Sequence, residues 1–344
     1  MQRGRITISG FETERIEQRE ELSEWQEAEQ TEAAEGRWKK AYKRFKRNRT
    51  AWIGLIVVSL MTLAAIFIRP LTVFDVTIQP IALSQWEVTD IVRFRGGDAG
   101  IYAEPSLAHP FGTDGSGRDL FTRVLYGGRY SISIGFVVVF LTATFGLIYG
   151  AIAGYFGGWV DEILMRIVDL VFAFPPLVLA MVIVAMLGGG YWQLVAAFTL
   201  AGWATYARLI RGEVLKVKQN EYVLAAKALG ARDRSIIFKH IIPNAIPPVI
   251  VQASLSVGTV VIGVAALGFL GIGFSPGTPE WGTMLDGTRN TIIQGPGGTI
   301  PWWATVFPGG AIFLFVMAMN MIGDGINDAL DAQSEDIQVG GGGG

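Results

Sequence analysis

Few side chains in this sequence are equipped for covalent or metal chemistry. There is no cysteine, which excludes thiol nucleophiles and thiolate ligands. The two histidines, His109 and His240, fall in segments assigned below to opposite sides of a membrane, so no shared metal site is expected. Asp114 to Asp119, DGSGRD, could be an oxygen-rich cation loop, but it lacks EF-hand ligand spacing and reads as a turn. His109, beside Pro110, reads as a loop hydrogen-bonder rather than a ligand or base. No Gly-x-x-x-x-Gly-Lys-Ser/Thr phosphate loop occurs, so this chain does not cradle ATP by that means.

What the sequence offers instead is a contact element. Glu221 to Pro243, EYVLAAKALGARDRSIIFKHIIP, is the longest polar interval between two apolar runs in the second half. Its pattern predicts a helix over Tyr222 to Leu229 and a break at Gly230. A second helical piece over Asp233 to Ile242 follows, with Asp233 as N-cap, and Pro243 opens the next run. Ala225, Ala226 and Ala228 remove side-chain bulk, so a partner could approach the backbone closely, and Lys227, Arg232 and Arg234 surround that patch with charge. The other reading, a solvated basic loop on the inner side of a membrane, stays open from the residues alone.

The elements that position this interval are apolar. Of 344 residues 51% are hydrophobic, and the mean hydropathy is +0.40. A crossing needs roughly 20 apolar residues. Six runs qualify as candidate spans: Ala51 to Ile68, Ser131 to Tyr155, Ile163 to Leu187, Trp192 to Leu209, Val249 to Ile272 and Trp302 to Ile322. The fold class expected is an all-α integral membrane protein with six transmembrane helices. The first run begins too late for a cleaved signal peptide and reads as an anchor.

Charge fixes the orientation. The net charge of −2 hides ten glutamates in Glu12 to Glu35 and eight Lys or Arg in Arg37 to Arg49. The basic cluster abuts the first span, which predicts a cytoplasmic N-terminus, and six crossings return the C-terminus to the same side. All eight lysines, at 39, 40, 43, 46, 216, 218, 227 and 239, then fall inside. The domain boundaries expected are an acidic, disordered extension at 1–36, a basic segment with the first helix at 37–70 and an extracytoplasmic segment at 71–130. A five-helix core at 131–331 follows, with the loop 211–243 inside it, and then a flexible tail at 332–344.

Within these elements, alternation in LTVFDVTI (71–78) and in Val88 to Arg95 predicts a small β excursion. Gly135, Gly146, Gly150 and Gly154 predict close helix packing along the second span. Glu162 and Arg166 are spaced to pair on one helix face, and Pro175 with Pro176 predicts a hinge in the third span. Trp302 and Trp303 are suited to anchor the sixth span at an interface.

Several ordered blocks resemble one family. The interval 221–243 is similar to the cytoplasmic loop of binding-protein-dependent ABC importer permeases, whose pattern is Glu-Ala-Ala, three residues, Gly, nine residues, a hydrophobic tripeptide region and Pro. Ala225, Ala226, Gly230 and Pro243 match in register, while Leu224 stands at the glutamate position and His240 at a usual Ile. HPFGTDGSGRDLFTRVLYGGRYS (109–131), DLVFAFPPLVLA (169–180), GFLGIG with PEWG (268–282) and PWWATVFPGG with GDGINDALD (301–331) look like the C-type permease of dipeptide and oligopeptide importers.

The resemblance implies a permease subunit, not an enzyme, with no cofactor or metal of its own. It implies a second, different permease subunit, two ATPase subunits that bind ATP and Mg, an extracytoplasmic solute-binding protein and surrounding membrane lipid, with no nucleic acid. The coupling residues it implies are Glu221, Tyr222, Ala225, Ala226, Lys227, Gly230, Arg232, Asp233 and Pro243. Gly112, Thr113, Asp114, Gly117, Arg118 and Asp119 would form an outer-mouth signature. Ser275 to Pro301 and Arg69 to Tyr130 would be contact surfaces for the binding protein. The alternatives are a non-transporting scaffold and an ion-coupled secondary transporter. The latter is disfavoured because the central parts of the six runs hold no ionisable residue.

Overall fold

The computed structural model describes residues 39, 41–68, 71–73, 76–78, 100–289, 291 and 300–340. Helix α1 spans Arg49–Phe67 and is followed by a two-stranded antiparallel ribbon, β1 (Leu71–Val73) and β2 (Val76–Ile78), paired Leu71 to Ile78 and Val73 to Val76. The β excursion expected at LTVFDVTI is therefore present. Val88 to Arg95, the acidic stretch Glu12 to Glu35 and the loop Gly295 to Gly298 lie outside the described residues.

Helix α2 spans Leu120–Phe156. Its 37 residues make it about 55 Å long at 1.5 Å per residue, well beyond the hydrocarbon thickness. It starts eleven residues before the expected span because Asp119 caps it, its carboxylate accepting from Thr122 N at 2.8 Å. Helices α3 (Gly158–Phe172) and α4 (Pro176–Leu187) meet at 82°, and α5 follows at Tyr191–Val217. After α5 come α6 (Glu221–Ala228), α7 (Asp233–Ile236), a π turn at Ile237–Ile241 and α8 (Ile242–Phe269). The chain ends in the short α9 (Trp281–Asp286) and the long α10 (Trp303–Gly340).

Four stretches are long and apolar enough to cross a membrane: Arg49–Phe67, Leu120–Phe156, Asp233–Phe269 and Trp303–Leu330; the bent pair α3–α4 makes up to five. Helix α5 falls outside that set, and its composition explains why. It packs against α2, α3, α4 and α8, with Leu194, Ala197, Ala204, Ala207, Ile210 and Val214 fully buried, while Arg208, Arg211, Glu213 and Lys216 in its second half lower its apolar character.

The α2–α5 contact depends on the predicted glycines. A Cβ added at Gly146 would stand 2.4 Å from Tyr206 Cβ, at Gly150 2.3 Å from Ala207 O, and at Gly154 2.9 Å from Val214 Cβ. Spaced four apart, they form one stripe on α2 that lets the two backbones touch. Gly135 serves α8 in the same way, a Cβ there meeting Val261 Cγ2 at 2.9 Å. The core between them is built from Ile134 and Val138 of α2, Ala180 and Val184 of α4, Leu194 and Ala197 of α5, and Val264 and Leu267 of α8.

Thr50–Gly325 forms one compact unit. The described residues up to Arg49 and those from Ile326 onward belong to a second, within which Asn48 Nδ2 donates to Asp328 Oδ2 at 3.2 Å. Residues 332–340, expected as flexible tail, continue α10 as helix, since no Gly or Pro interrupts DAQSEDIQV.

Candidate functional site

The interval 221–243 folds as two helical pieces around a turn, close to expectation. Asn220 opens α6 through its carbonyl, which accepts from Val223 N and Leu224 N at 3.0 and 3.1 Å. Glu221 lies in the first turn and Lys227 in the last, each at the end of the helix dipole that favours its charge. The helix stops at Gly230, whose φ of +80° is the left-handed conformation that a side chain disfavours. Gly230 N donates to Lys227 O at 3.0 Å and Ala231 N to Ala226 O at 3.1 Å, the paired bonds of a Schellman motif.

The faces of α6 divide cleanly. Val223 is buried at 2% exposure, with Tyr222 and Ala226 half-buried beside it. Leu224, Ala225, Lys227, Ala228, Leu229 and Gly230 are exposed, Leu229 at 71%, and Phe238 beyond the turn at 61%. Lys227, Arg232 and Arg234 rim this apolar exposed face. Behind α6 lies a hollow of about 360 Å³, lined among others by Tyr155, Leu215, Lys218, Val223, Leu224 and Ile236.

One expectation in this region is corrected. Asp233 is the first residue of α7, and Arg232 holds the N-cap position without a side-chain cap bond. The Asp233 carboxylate is engaged elsewhere, accepting from the Tyr155 hydroxyl. Pro243 stands in the first turn of α8, as expected. It lies within a stretch that is helical from Asp233 to Phe269. Proline has no N–H to donate and its ring crowds the preceding turn, and the π turn at Ile237–Ile241, directly before it, widens the helix there.

Ion pairs that the sequence did not single out tie the neighbouring helix ends together. Arg211 of α5 grips Asp161 of α3 with both arms, Nε to Oδ1 at 2.5 Å and Nη2 to Oδ2 at 2.6 Å. Arg208 Nη2 meets Asp169 Oδ1 at 2.7 Å, its guanidinium 4.2 Å from the Phe172 ring centre. The expected pair, Glu162 with Arg166, is separated by 4.0 Å and more than 70% exposed, a geometry that contributes little. Partners 39 and 50 residues apart leave no periodic signal, whereas an i, i+4 pair does.

At Pro175 and Pro176 the helix is broken outright. Pro175 has extended backbone, Pro176 is the first residue of α4, and residues 172–178 are exposed. The predicted hinge is thus an 82° elbow rather than a kink.

The outer-mouth residues form a buried knot. Asp114 accepts from Ser116 N, Arg118 N and Arg118 Nε at 2.8–2.9 Å and faces Arg123 Nε at 3.2 Å, so donors from this chain occupy its oxygens. Asp119 caps α2 while its other oxygen lies 2.9 Å from His109 Nδ1. Thr113 pairs with Asp119 in an isolated bridge, Gly112 and Gly117 take positive φ, and Trp303 Nε1 donates to Thr113 O at 3.3 Å. Arg123 Nη2 reaches Gly277 O at 2.8 Å and fastens α2 to the loop before α9.

In that loop, PEWG belongs to the interior. Glu280 is fully buried and Trp281 is 2% exposed, which removes them from the surface expected to contact a binding protein. Glu280 Oε1 accepts from Ser131 Oγ at 3.0 Å and Oε2 from Thr283 N at 2.8 Å. Burial pushes this carboxyl above its ordinary range, against the opposing effect of the hydrogen bonds from Gly282, Thr283 and Ser131.

The chain thus combines long apolar helices, an elbow, a knot of buried polar side chains and an exposed apolar helix on a basic loop. Comparison with known proteins places it further. Residues 146–335 match the family described as binding-protein-dependent transport system inner membrane component, and residues 36–85 the N-terminal TM domain of oligopeptide transport permease C. The chain is 42% identical over 294 residues to the dipeptide transport system permease protein DppC of Alkalihalophilus pseudofirmus, covering 86% of this chain and 89% of that one. It is 38% identical to the glutathione transport system permease protein GsiD of Shigella dysenteriae, covering 86% and 90%. A crystal structure of an amino acid ABC transporter with histidines is similar more loosely, with a TM-score of 0.43 and 15% identity over 63% of this chain and 94% of that one. The chain belongs to the inner-membrane permeases of binding-protein-dependent ABC importers, in the C-type group of the dipeptide and oligopeptide family.

Proposed function

We propose that this permease crosses the membrane six times, α5 and the elbowed α3–α4 pair each counting as one crossing, with both termini cytoplasmic. It pairs with a second, different permease subunit and imports peptides or similar small solutes. An extracytoplasmic binding protein delivers the solute, and two ATPase subunits that bind ATP and Mg supply the energy. On the outer side the exposed residues 104–108 and 275–277, with Leu107 fully exposed, are the surface offered to the binding protein. The elbow at Pro175 and Pro176 gives the core a bend at which access can switch.

The observation that carries the docking assignment is Gly230. A Cβ there would meet nothing within 4 Å, yet the residue holds a left-handed turn between two exposed apolar helix ends. Glu221, Tyr222, Ala225, Ala226, Lys227, Arg232 and Asp233 surround the surface it shapes, and Pro243 ends the element. Replacing Gly230 with valine would leave this chain's packing intact while reshaping the turn and placing bulk where a partner must sit. In the Gly230→Val variant the ATPase subunits should be lost on purification, or hydrolysis should cease to drive uptake. Unchanged uptake together with unchanged co-purification would refute the assignment.

A further inference from the structure

The docking element is fastened to the protein unevenly. Helix α6 buries only Val223 fully and has the 360 Å³ hollow behind it, so its tie to the core is thin. Helix α7 is held by a charged hydrogen bond. The Tyr155 hydroxyl donates to Asp233 Oδ1 across 78 residues of sequence. Tyr155 lies in the last turn of α2 and is 7% exposed. Its carbonyl accepts from Lys218 Nζ, which also lies 5.5 Å from the centre of the Tyr155 ring. The end of α2, the end of α5 and the start of α7 therefore meet at one point.

That point is a mechanical junction. From Asp233 a helical stretch of 37 residues runs to Phe269, and α2, also 37 residues, runs from Tyr155 back to the outer knot. The two lean on each other through Gly135 and Val261. A push on α7 at Asp233 acts on both, whereas a push on α6 alone can be absorbed by the hollow. We propose that the Tyr155–Asp233 clasp is the linkage through which movement of the docking element reaches the membrane-spanning core. Tyr155 and Asp233 are then positioning residues for coupling. This rests on the docking reading above and adds to it a defined path out of the dock.

The test uses the whole transporter in proteoliposomes and reads solute imported per ATP hydrolysed, which a purely structural bond would leave alone. Tyr155→Phe removes the donor but keeps the ring. It should leave ATPase association and hydrolysis in place while lowering the coupling ratio about tenfold, in line with loss of a hydrogen bond to a charged acceptor. Asp233→Ala should lower the coupling ratio to the same extent, and the double variant should be no worse than either single one. Asp233→Asn, whose amide oxygen still accepts, should fall between. An unchanged coupling ratio in both Tyr155→Phe and Asp233→Ala overturns the clasp, as does loss of the ATPase subunits from Tyr155→Phe.

Because the chain has no cysteine, Tyr155→Cys and Asp233→Cys can also be joined by a short bifunctional thiol reagent. Coupling should survive that joining, and arrest of transport would show that the two must separate. The docking reading fails independently, through Gly230→Val retaining its ATPase partners and its uptake.

Discussion

The knot around Asp114, Asp119 and Glu280 and the segment 221–243, proposed as the docking element, are both rich in polar and glycine residues, yet they are built in opposite ways. In the knot, Thr113, Asp119, Arg123 and Glu280 are each 2% exposed or less, and their hydrogen bonds close on this chain. In the docking element, Leu224, Ala225, Ala228, Leu229 and Gly230 point outward, and the backbone bonds of the turn are what hold them. Gly282 of the knot shows the same contrast with Gly230: a Cβ on the first would stand 2.3 Å from Ala265 O, while one on the second meets nothing. A glycine with no room around it serves the fold, and one with open space around a strained backbone leaves that space for something else.

The contrast can be broken or sharpened by unfolding measurements on the purified permease. The largest effect belongs to Arg123→Ala. It strips a buried partner from Asp114 and a donor from Gly277 O, and should cost about 3 kcal/mol, read as a lowered unfolding midpoint. Gly230→Val should cost only about 1–2 kcal/mol from the left-handed backbone, although its effect on partner association is the severe one. If Gly230→Val unfolded the protein as readily as Arg123→Ala does, the division between frame and dock would collapse.

The smallest effect is expected at Glu280→Gln. The folded-state carboxyl is raised by burial, so the folded protein binds this proton more tightly than the unfolded chain. Its contribution is fully present below the unfolded value near 4.5 and is lost as pH rises through the folded one. The neutral glutamine, whose amide oxygen can still accept from Thr283 N, should change stability by less than about 1 kcal/mol and flatten that pH dependence. A loss as large as that of Arg123→Ala would mean that the carboxylate charge is what holds the knot.

Much of this was legible in the sequence because it is local or periodic. The glycines of the second span predicted close helix packing, Gly230 predicted the helix stop, and the double proline predicted a hinge. The exceptions share a cause. Asp233 read as an N-cap because local spacing allows it, but Tyr155, 78 residues away, takes its carboxylate. PEWG falls in Ser275 to Pro301, expected as a contact surface, yet Ser131, 149 residues earlier, donates to Glu280 inside the protein. The size of the elbow was likewise invisible, since proline removes a hydrogen bond without setting the angle that packing then chooses. Helix α5 carries a weaker apolar signal than its neighbours because its second half holds Arg208, Arg211, Glu213 and Lys216.

The central claim is that residues 221–243 are where a cytoplasmic partner engages this permease. The most direct measurement places a photo-cross-linking side chain at Leu229, 71% exposed on the free face of the dock, and irradiates native membranes with and without ATP. The account predicts a cross-link to an ATPase subunit whose yield changes with nucleotide. Cross-links only to lipid, or to a protein on the extracytoplasmic side, would contradict it.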